Sequence, residues 1–242
     1  MKLILISDIH ANWPALNAVV AGEKHVDGVV CLGDIVNYGP HPVQCVEWIQ
    51  AHAMRGWVVQ GNHDRAVGCD EDPRCSLPYR ALAAAMQAYT ATQLSPQAKD
   101  YLARLPDLVK QSFEGATFTL CHAVPSDPLY GYLQVDNVRG WEDEIAVAHH
   151  PDFLFVGHTH HAFVRQIDET TVVNPGSVGQ AKDGEARASY AIWDNGIVEL
   201  RHANYDVQSV VNDLTKCVPE NVSRQLGRIL LTGGDRGPDT KN

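Results

Sequence analysis

Eight residues able to bind metals or move protons lie in five short polar stretches of this 242-residue chain, each directly behind an apolar run. Asp8 and His10 follow KLILIS, and Asp34 follows GVVCLG. Asn62 and His63 follow GWVVQG, His122 follows TFTLC, and His158 and His160 follow DFLFVG. Mixed oxygen and imidazole donors suit Mn, Fe or Zn better than Mg or Ca, which prefer oxygen alone. Seven candidate ligands (Asp8, His10, Asp34, Asn62, His122, His158, His160) exceed the four of a single zinc site. They match two divalent or trivalent ions that share a carboxylate. Asp34, with Gly33 before it, is the natural bridge. Two ions about 3.5–4 Å apart generate hydroxide at neutral pH and clamp the oxygens of a phosphoryl group. The expected chemistry is therefore attack of a dimetal-bound hydroxide on a phosphate ester.

Each stretch alone has a duller explanation as a cap, a turn or a surface histidine. All five would have to be coincidences at five strand ends. His161 reads as a surface or supporting residue. His25, His41, His52 and His202 have no ligand partner nearby in sequence, and His149 and His150 look like the end of a helix before Pro151. Arg187, in the polar loop DGEAR, is a candidate to reach a substrate phosphate. Gly176 and Gly179 in NPGSVGQ predict a tight turn between strands. Support of the metal-site edge and a contact in a homo-oligomer are its functional alternatives.

His63 adjoins Asn62, and side chains of neighbouring residues point differently, so both are not expected on one ion. His63 is the candidate catalytic residue, stabilising charge on the phosphoryl oxygens or protonating the leaving group. A carboxylate on its other ring nitrogen, Asp64 or Asp34, would help it keep a proton.

In an open, mostly parallel sheet, strand ends of one sense meet at one edge. The first 64 residues alternate apolar runs with helix-like segments, which predicts parallel strands with right-handed crossovers. Residues 65–110 break that rhythm. They read as helices split near Leu94 and Ser95, a cap insertion beside the site. Phe113–Ala123 reads as one strand ending at His122, and residues 136–150 read as helical. ASYAIWDNGIVEL carries a hairpin signal at Asp194–Asn195–Gly196. The expectation is one domain over 1–232 and a flexible tail over 233–242.

With 45% apolar residues, the chain can bury a sizeable core. A net charge of -10 argues against long nucleic acid as partner, but not against a small phosphorylated substrate. MKLILISDIH reads as a strand rather than a signal peptide, and no stretch is apolar enough to span a bilayer. The expected compartment is the cytoplasm, with no membrane partner. Cys69 and Cys75 flank an acidic turn and could pair or hold a metal weakly, but a reducing compartment favours free thiols.

The ordered motifs DIH, GD, GNHD, LCHA and GHTH, spread over residues 2 to about 206, resemble those of the calcineurin-like metallophosphoesterases. GDIVNYGPHPVQCVEWI, VVNPGSVGQ and RASYAIWD resemble the small single-domain bacterial and archaeal branch. The resemblance implies an α/β/β/α sandwich of two mixed sheets flanked by helices. It implies one metal held by Asp8, His10, Asp34 and His160, and a second by Asp34, Asn62, His122 and His158. It implies that His63 stays off the metals and acts on the substrate. The substrate class implied is small phosphodiesters or nucleotides, with serine/threonine protein phosphatase as the alternative. Ala11 and Ala123 stand where many relatives have glycine, and both are expected to tighten the pocket.

Overall fold

Lys2–Ile6 (β1) sends Leu3 and Leu5 to one face and Ile4 and Ile6 to the other, and all four are buried. A strand buried on both faces belongs inside a layered structure. In the computed structural model, which describes residues 1–234, β1 pairs in parallel with Gly28–Cys31 (β2). Trp13–Gly22 (α1) is the crossover between them. Pro42–His52 (α2) leads from β2 to Ala53–Val58 (β3), also parallel. The other edge is closed by an antiparallel hairpin, Ala188–Asp194 (β9) and Ile197–Ala203 (β10), giving the order β10-β9-β1-β2-β3.

The second sheet holds Leu108–Phe113 (β4), Ala116–Cys121 (β5), Phe153–Phe155 (β6), Phe163–Ile167 (β7) and Thr170–Asn174 (β8), ordered β4-β5-β6-β8-β7. Its central pairs, β5 with β6 and β6 with β8, are parallel. Leu3, Leu5 and Trp193 of the first sheet meet Phe118 and Phe155 of the second in a shared core. The first sheet's outer face is covered by Leu16 and Val19 of α1, Val46 and Ile49 of α2, and Leu102 of Pro96–Ala103 (α5). Val138–Val147 (α6) covers the second sheet through Trp141 and Ile145. The four layers are as the motifs implied. Among the described residues no helix is long and apolar enough to cross a membrane.

The structure departs from the sequence-based expectation at four places. Phe113–Ala123 is not one strand: Glu114 and Gly115 turn the chain at φ 49° and 81°, making β4 and β5 a hairpin. β4 is a half-exposed edge strand, so its alternation is weak. Gly56–Asp64 reads in sequence as a third strand running into a polar turn, but β3 stops at Val58 and Asn62–Cys69 (α3) starts on the GNHD motif itself. Residues 65–110 do contain two helices split at Leu94–Ser95, Leu77–Gln93 (α4) and α5, with Ser95 capping the second through Ala98 N–H at 3.2 Å. Both are built into the body: Met86 and Leu102 are fully buried. Two helices near the C-terminus, Val207–Cys217 (α7) and Glu220–Thr232 (α8), have no counterpart in that expectation. Their signal is present in apolar residues at helical spacing, Val210 and Leu214, then Val222, Leu226 and Ile229. They pack on α4 around Met86. Gly233 closes α8 in the left-handed region, and residues 235–242 of the expected tail lie outside the described residues.

Candidate metal centre

Asp8, His10, Asp34, His158 and His160 all have positive φ, between 47° and 65°. That region costs free energy for most L-residues and persists where the surroundings enforce it. Here the enforcement is backbone bonding between loops. Asp8 N–H donates to Gly33 O (3.0 Å) and His10 N–H to Asp34 O (2.9 Å), zipping the loops after β1 and β2 together. The NPGSVGQ turn clamps the first loop from the other side. Gly179 N–H and Ser177 Oγ both donate to Asp8 O, at 2.9 and 2.8 Å. A Cβ at position 179 would collide with the Ile9 carbonyl oxygen. The turn therefore supports the edge of the site. Gly61 plays the same part at α3, letting His63 N–H reach Asp34 Oδ1 at 2.9 Å.

All seven expected ligands come together. His10 Nε2 lies 3.1 Å from His160 Nε2, and His160 Nε2 lies 3.3 Å from Asp8 Oδ1. Beside them, His122 Nε2 is 3.3 Å from Asp34 Oδ2, 3.2 Å from Asn62 Oδ1 and 3.3 Å from His158 Nδ1. Asp34 Oδ2 also faces His10 Nε2 at 3.9 Å, so this one oxygen looks to both sides. Asp8 shares the seam: it groups with His10 and His160 and equally with Asp34 and His122.

The protonation pattern asks for cations. The Nδ1–H groups of His10, His122 and His160 donate to the carbonyls of Val36, Leu32 and Gln180, at 3.4, 2.7 and 2.6 Å. This arrangement fixes the tautomer that presents a bare Nε2, as in metal sites generally. For His10 and His160 it turns the two Nε2 atoms toward each other, 3.1 Å apart, an arrangement that a shared cation would relieve. Asp8 Oδ1 is buried without any hydrogen-bond partner. Burial pushes the His122 pKa down, but the carboxylates of Asp34 and Asp8 outweigh it and lift it to about 9. Without metal, a proton there would supply the positive charge. The donor set is one that a pair of cations would complete.

His63 lies beside this cluster, its ring centroid 5.3 Å from that of His10. Its Nδ1 is 2.7 Å from Asn37 Nδ2. The Asn37 amide is oriented by its oxygen, which accepts Tyr38 N–H at 3.0 Å, so its nitrogen faces the imidazole. Asn37, rather than a carboxylate, thus holds the ring. Asp64 is used structurally, accepting the N–H groups of Ile35, Val36 and Gly61 at 2.8, 3.2 and 3.0 Å. With Nδ1 as acceptor, the His63 proton sits on Nε2, which points toward Cys75 Sγ at 3.6 Å. Burial pushes the His63 pKa down to about 4 against the pull of Asp34.

A cleft of about 550 Å³ opens over Asp34, Asn62, His63, His158 and His160. Its walls are Tyr79, Tyr130 and Tyr132, with Arg74, Cys75 and Lys182. Motif spacing points to none of these wall residues. Asn37, which tunes His63, does stand close to a motif, in the stretch that directly follows Asp34. Arg187, the candidate phosphate contact, is tied to Asp183 at 3.0 Å and does not line the cleft. Ala11 and Ala123 are buried and do not line it either, so the expected tightening of the pocket is not seen. His161 is exposed on a neighbouring recess, and Cys69 and Cys75 are free thiols.

Comparison with known proteins agrees with this architecture. Residues 1–196 match the family model of the calcineurin-like phosphoesterase superfamily domain. An uncharacterised protein of Methanocaldococcus jannaschii is 33% identical, covering 96% of this chain and 98% of its own. The phosphodiesterase YfcE of Escherichia coli K12 is 26% identical over 83% of this chain and 91% of its own. A metallophosphoesterase structure from Sphaerobacter thermophilus superposes with a TM-score of 0.79 at 31% identity, covering 96% of this chain and 99% of that one. Strand-end donor residues, paired donor clusters and whole-length similarity agree: the chain belongs to the calcineurin-like phosphoesterase superfamily.

Proposed function

We infer that this protein hydrolyses phosphate esters of small molecules, phosphodiesters or nucleotides, with two metal ions of the Mn, Fe or Zn type. The observation that carries this is the pair of adjoining donor clusters at the base of the cleft, which Asp34, Asn62, His158 and His160 reach, with the Nε2 atoms of His10 and His160 facing each other and a buried Asp8 oxygen that accepts no hydrogen bond. Asp8, His10, Asp34 and His160 would hold one ion, and Asp34, Asn62, His122 and His158 the other. When bound, such a pair supplies an activated water and neutralises phosphoryl charge. The relatives' phosphodiesterase and metallophosphoesterase names support the same reaction class.

The chain's own residues do the rest. Asn37 keeps the His63 proton on Nε2, aimed at the cleft, where it can donate to a phosphoryl oxygen as charge builds. A neutral imidazole held this way is a fixed donor rather than a strong acid, so stabilising that oxygen is its main task. The strained loops hold the ligands in place before any substrate arrives, and their rigidity spares the reaction a reorganisation cost. A cleft of about 550 Å³ has the size of a small-molecule site. The substrate expected is accordingly a small phosphorylated molecule.

The test is reconstitution of metal-free protein with Mn²⁺, Fe²⁺ or Zn²⁺, followed by assay of bis(p-nitrophenyl) phosphate, p-nitrophenyl phosphate, nucleotides and a phosphopeptide. Turnover of the small esters that depends on two bound metals per chain is expected. Tight metal binding with no ester turned over would overturn the enzymatic reading, and a marked preference for the phosphopeptide would overturn the substrate class.

A further inference from the structure

Lys182 and Arg74 are the cations that line the cleft, in a chain with 29 acidic residues and 19 Lys and Arg. Neither has a carboxylate within ion-pair distance among the described residues. The acid next to Lys182, Asp183, is taken by Arg187 at 3.0 Å. The Arg74 guanidinium lies 4.1 Å over the Tyr130 ring, a contact that leaves its N–H edge free to bind an anion. The Lys182 ammonium lies 6.0 Å from the Tyr79 ring. Burial pushes the Lys182 pKa down, and the carboxylates that pull it back up are Asp8 and Asp34 of the donor clusters. Those carboxylates would be committed once cations bind. Lys182 would then be a half-buried charge facing a positive floor, which is costly unless an anion joins it.

The place of Lys182 says which anion. Two residues before it, Gln180 O accepts His160 Nδ1–H at 2.6 Å, so its backbone is tied to the donor cluster. Its side chain borders both the main cleft and a second recess of about 360 Å³ lined by Tyr79, His161, Gly233 and Asp183, whose carboxylate is held by Arg187. Its side chain thus stands between the floor of the cleft and that recess, so a phosphate held there would lie beside the phosphoryl group that the floor and His63 would serve.

We propose that Lys182, assisted by Arg74, forms a subsite for a second phosphate, so that the site selects esters whose reacting phosphoryl group adjoins another. This rests on the phosphoesterase reading above and adds the substrate class, diphosphate compounds, to it.

The test uses metal-loaded protein and calorimetric binding of two probes, AMP and the non-hydrolysable α,β-methylene analogue of ADP, with metal content checked in the same samples. The diphosphate analogue is expected to bind about 10–100-fold more tightly than AMP, the usual worth of a charge-assisted contact. Lys182→Met should bring that ratio close to one, Lys182→Arg should restore most of it, and Arg74→Gln should reduce it by only about 2–5-fold. Free methylenediphosphonate should show the same dependence on Lys182. A wild-type ratio near one, or a ratio unchanged in Lys182→Met with metals retained, would overturn the subsite. A preference that vanishes without the nucleoside would overturn it as well, because the nucleoside would then be the group recognised. These failures are separable from failure of the phosphoesterase reading. In the first, small esters are still hydrolysed; in the second, no ester is hydrolysed at all.

Discussion

Two groups of buried carboxylates in this protein are built on opposite plans. Glu23, with 4% of its side chain exposed, accepts hydrogen bonds from Lys2 Nζ at 2.8 Å, Tyr190 OH at 2.8 Å and Arg201 Nη1 at 2.7 Å. Asp8 and Asp34, at 0% and 3%, have no lysine or arginine in ion-pair contact among the described residues. Their neighbours are histidines and backbone N–H groups, and one Asp8 oxygen, 3.3 Å from His160 Nε2, accepts no hydrogen bond. In the first group the fold itself completes the charge, and the result is a clamp joining β1, α1, β9 and β10. In the second the fold collects negative charge and bare lone pairs and leaves them to be completed from outside. A buried charge left open is costly to stability, so its presence points to function.

The contrast breaks most sharply at Asp34. Asp34→Asn removes the charge facing both His10 and His122, and is expected to lower metal content at both positions. Turnover should fall by about 10³–10⁴, the several kcal/mol that metal-centred charge stabilisation supplies. Two full metals with near-normal turnover, by elemental analysis and ester assay, would remove Asp34 from its bridging role. His63→Ala should act more narrowly. Both metals should stay, and turnover should fall by about 10²–10³, as for loss of one positioned donor. Because Asn37 leaves the proton of a neutral ring on Nε2, the fall should be similar for nitrophenyl and alkyl leaving groups. A fall confined to poor leaving groups would mean that His63 delivers a proton instead, and loss of a metal would mean that it is a ligand.

The two plans also differ in how far the sequence exposes them. The donor clusters are legible because metal chemistry restricts residue types and because the strands deliver them to one edge. Asp8, Asp34, Asn62, His122 and His158 each stand a few residues past a buried apolar run. The partners that tune them are harder to pick out, even where, like Asn37, they stand close to a motif. Asn37 reaches His63 across 26 positions, and Gln180 reaches His160 with a backbone oxygen that carries no side-chain signature. Lys182, Arg74 and the tyrosine walls follow no period, and although Lys182 stands two residues past NPGSVGQ, nothing in that string marks it, so only the folded chain brings them together. Strands are legible where a run is buried on both faces, as in β1, and poorly so at the half-exposed edge strand β4. α7 and α8 have helical apolar spacing but lie beyond residue 206, where the site motifs have ended. The Glu23 clamp joins residues 21, 167 and 178 positions away and has no local signal.

Removing metals sharpens the comparison through stability. An ion that binds only the folded protein at 100 times its Kd adds about 2.7 kcal/mol. Chelation should therefore lower the melting temperature reversibly, with re-addition of Mn²⁺ or Zn²⁺ restoring it. The restoration should be lost in Asp34→Asn and kept in variants of the Glu23 clamp. A melting temperature indifferent to metal in the wild-type protein would mean that the open cluster is not completed by cations.

The smallest effect belongs to Glu23→Gln, and it should be confined to stability. Glutamine keeps an oxygen for Tyr190 but loses the charge shared with Lys2 and Arg201, at a cost of about 1–2 kcal/mol, since both cations are partly solvated. Burial pushes the Glu23 pKa up, but the hydrogen bonds from Lys2, Arg201 and Tyr190 outweigh it and hold the group below its ordinary 4.5. A carboxylate with a depressed folded-state pKa stabilises the protein above its unfolded pKa. Its contribution is lost as pH falls through the folded value. The gap between wild type and Glu23→Gln in urea unfolding should thus be full at neutral pH and shrink below pH 4.5. Metal content and the relative rates for different esters should not change, because Glu23 serves the sheet and not the cleft. A gap that stays constant with pH would mean that shape rather than charge makes the clamp. A change in metal content would mean that the two groups of carboxylates are coupled through β1.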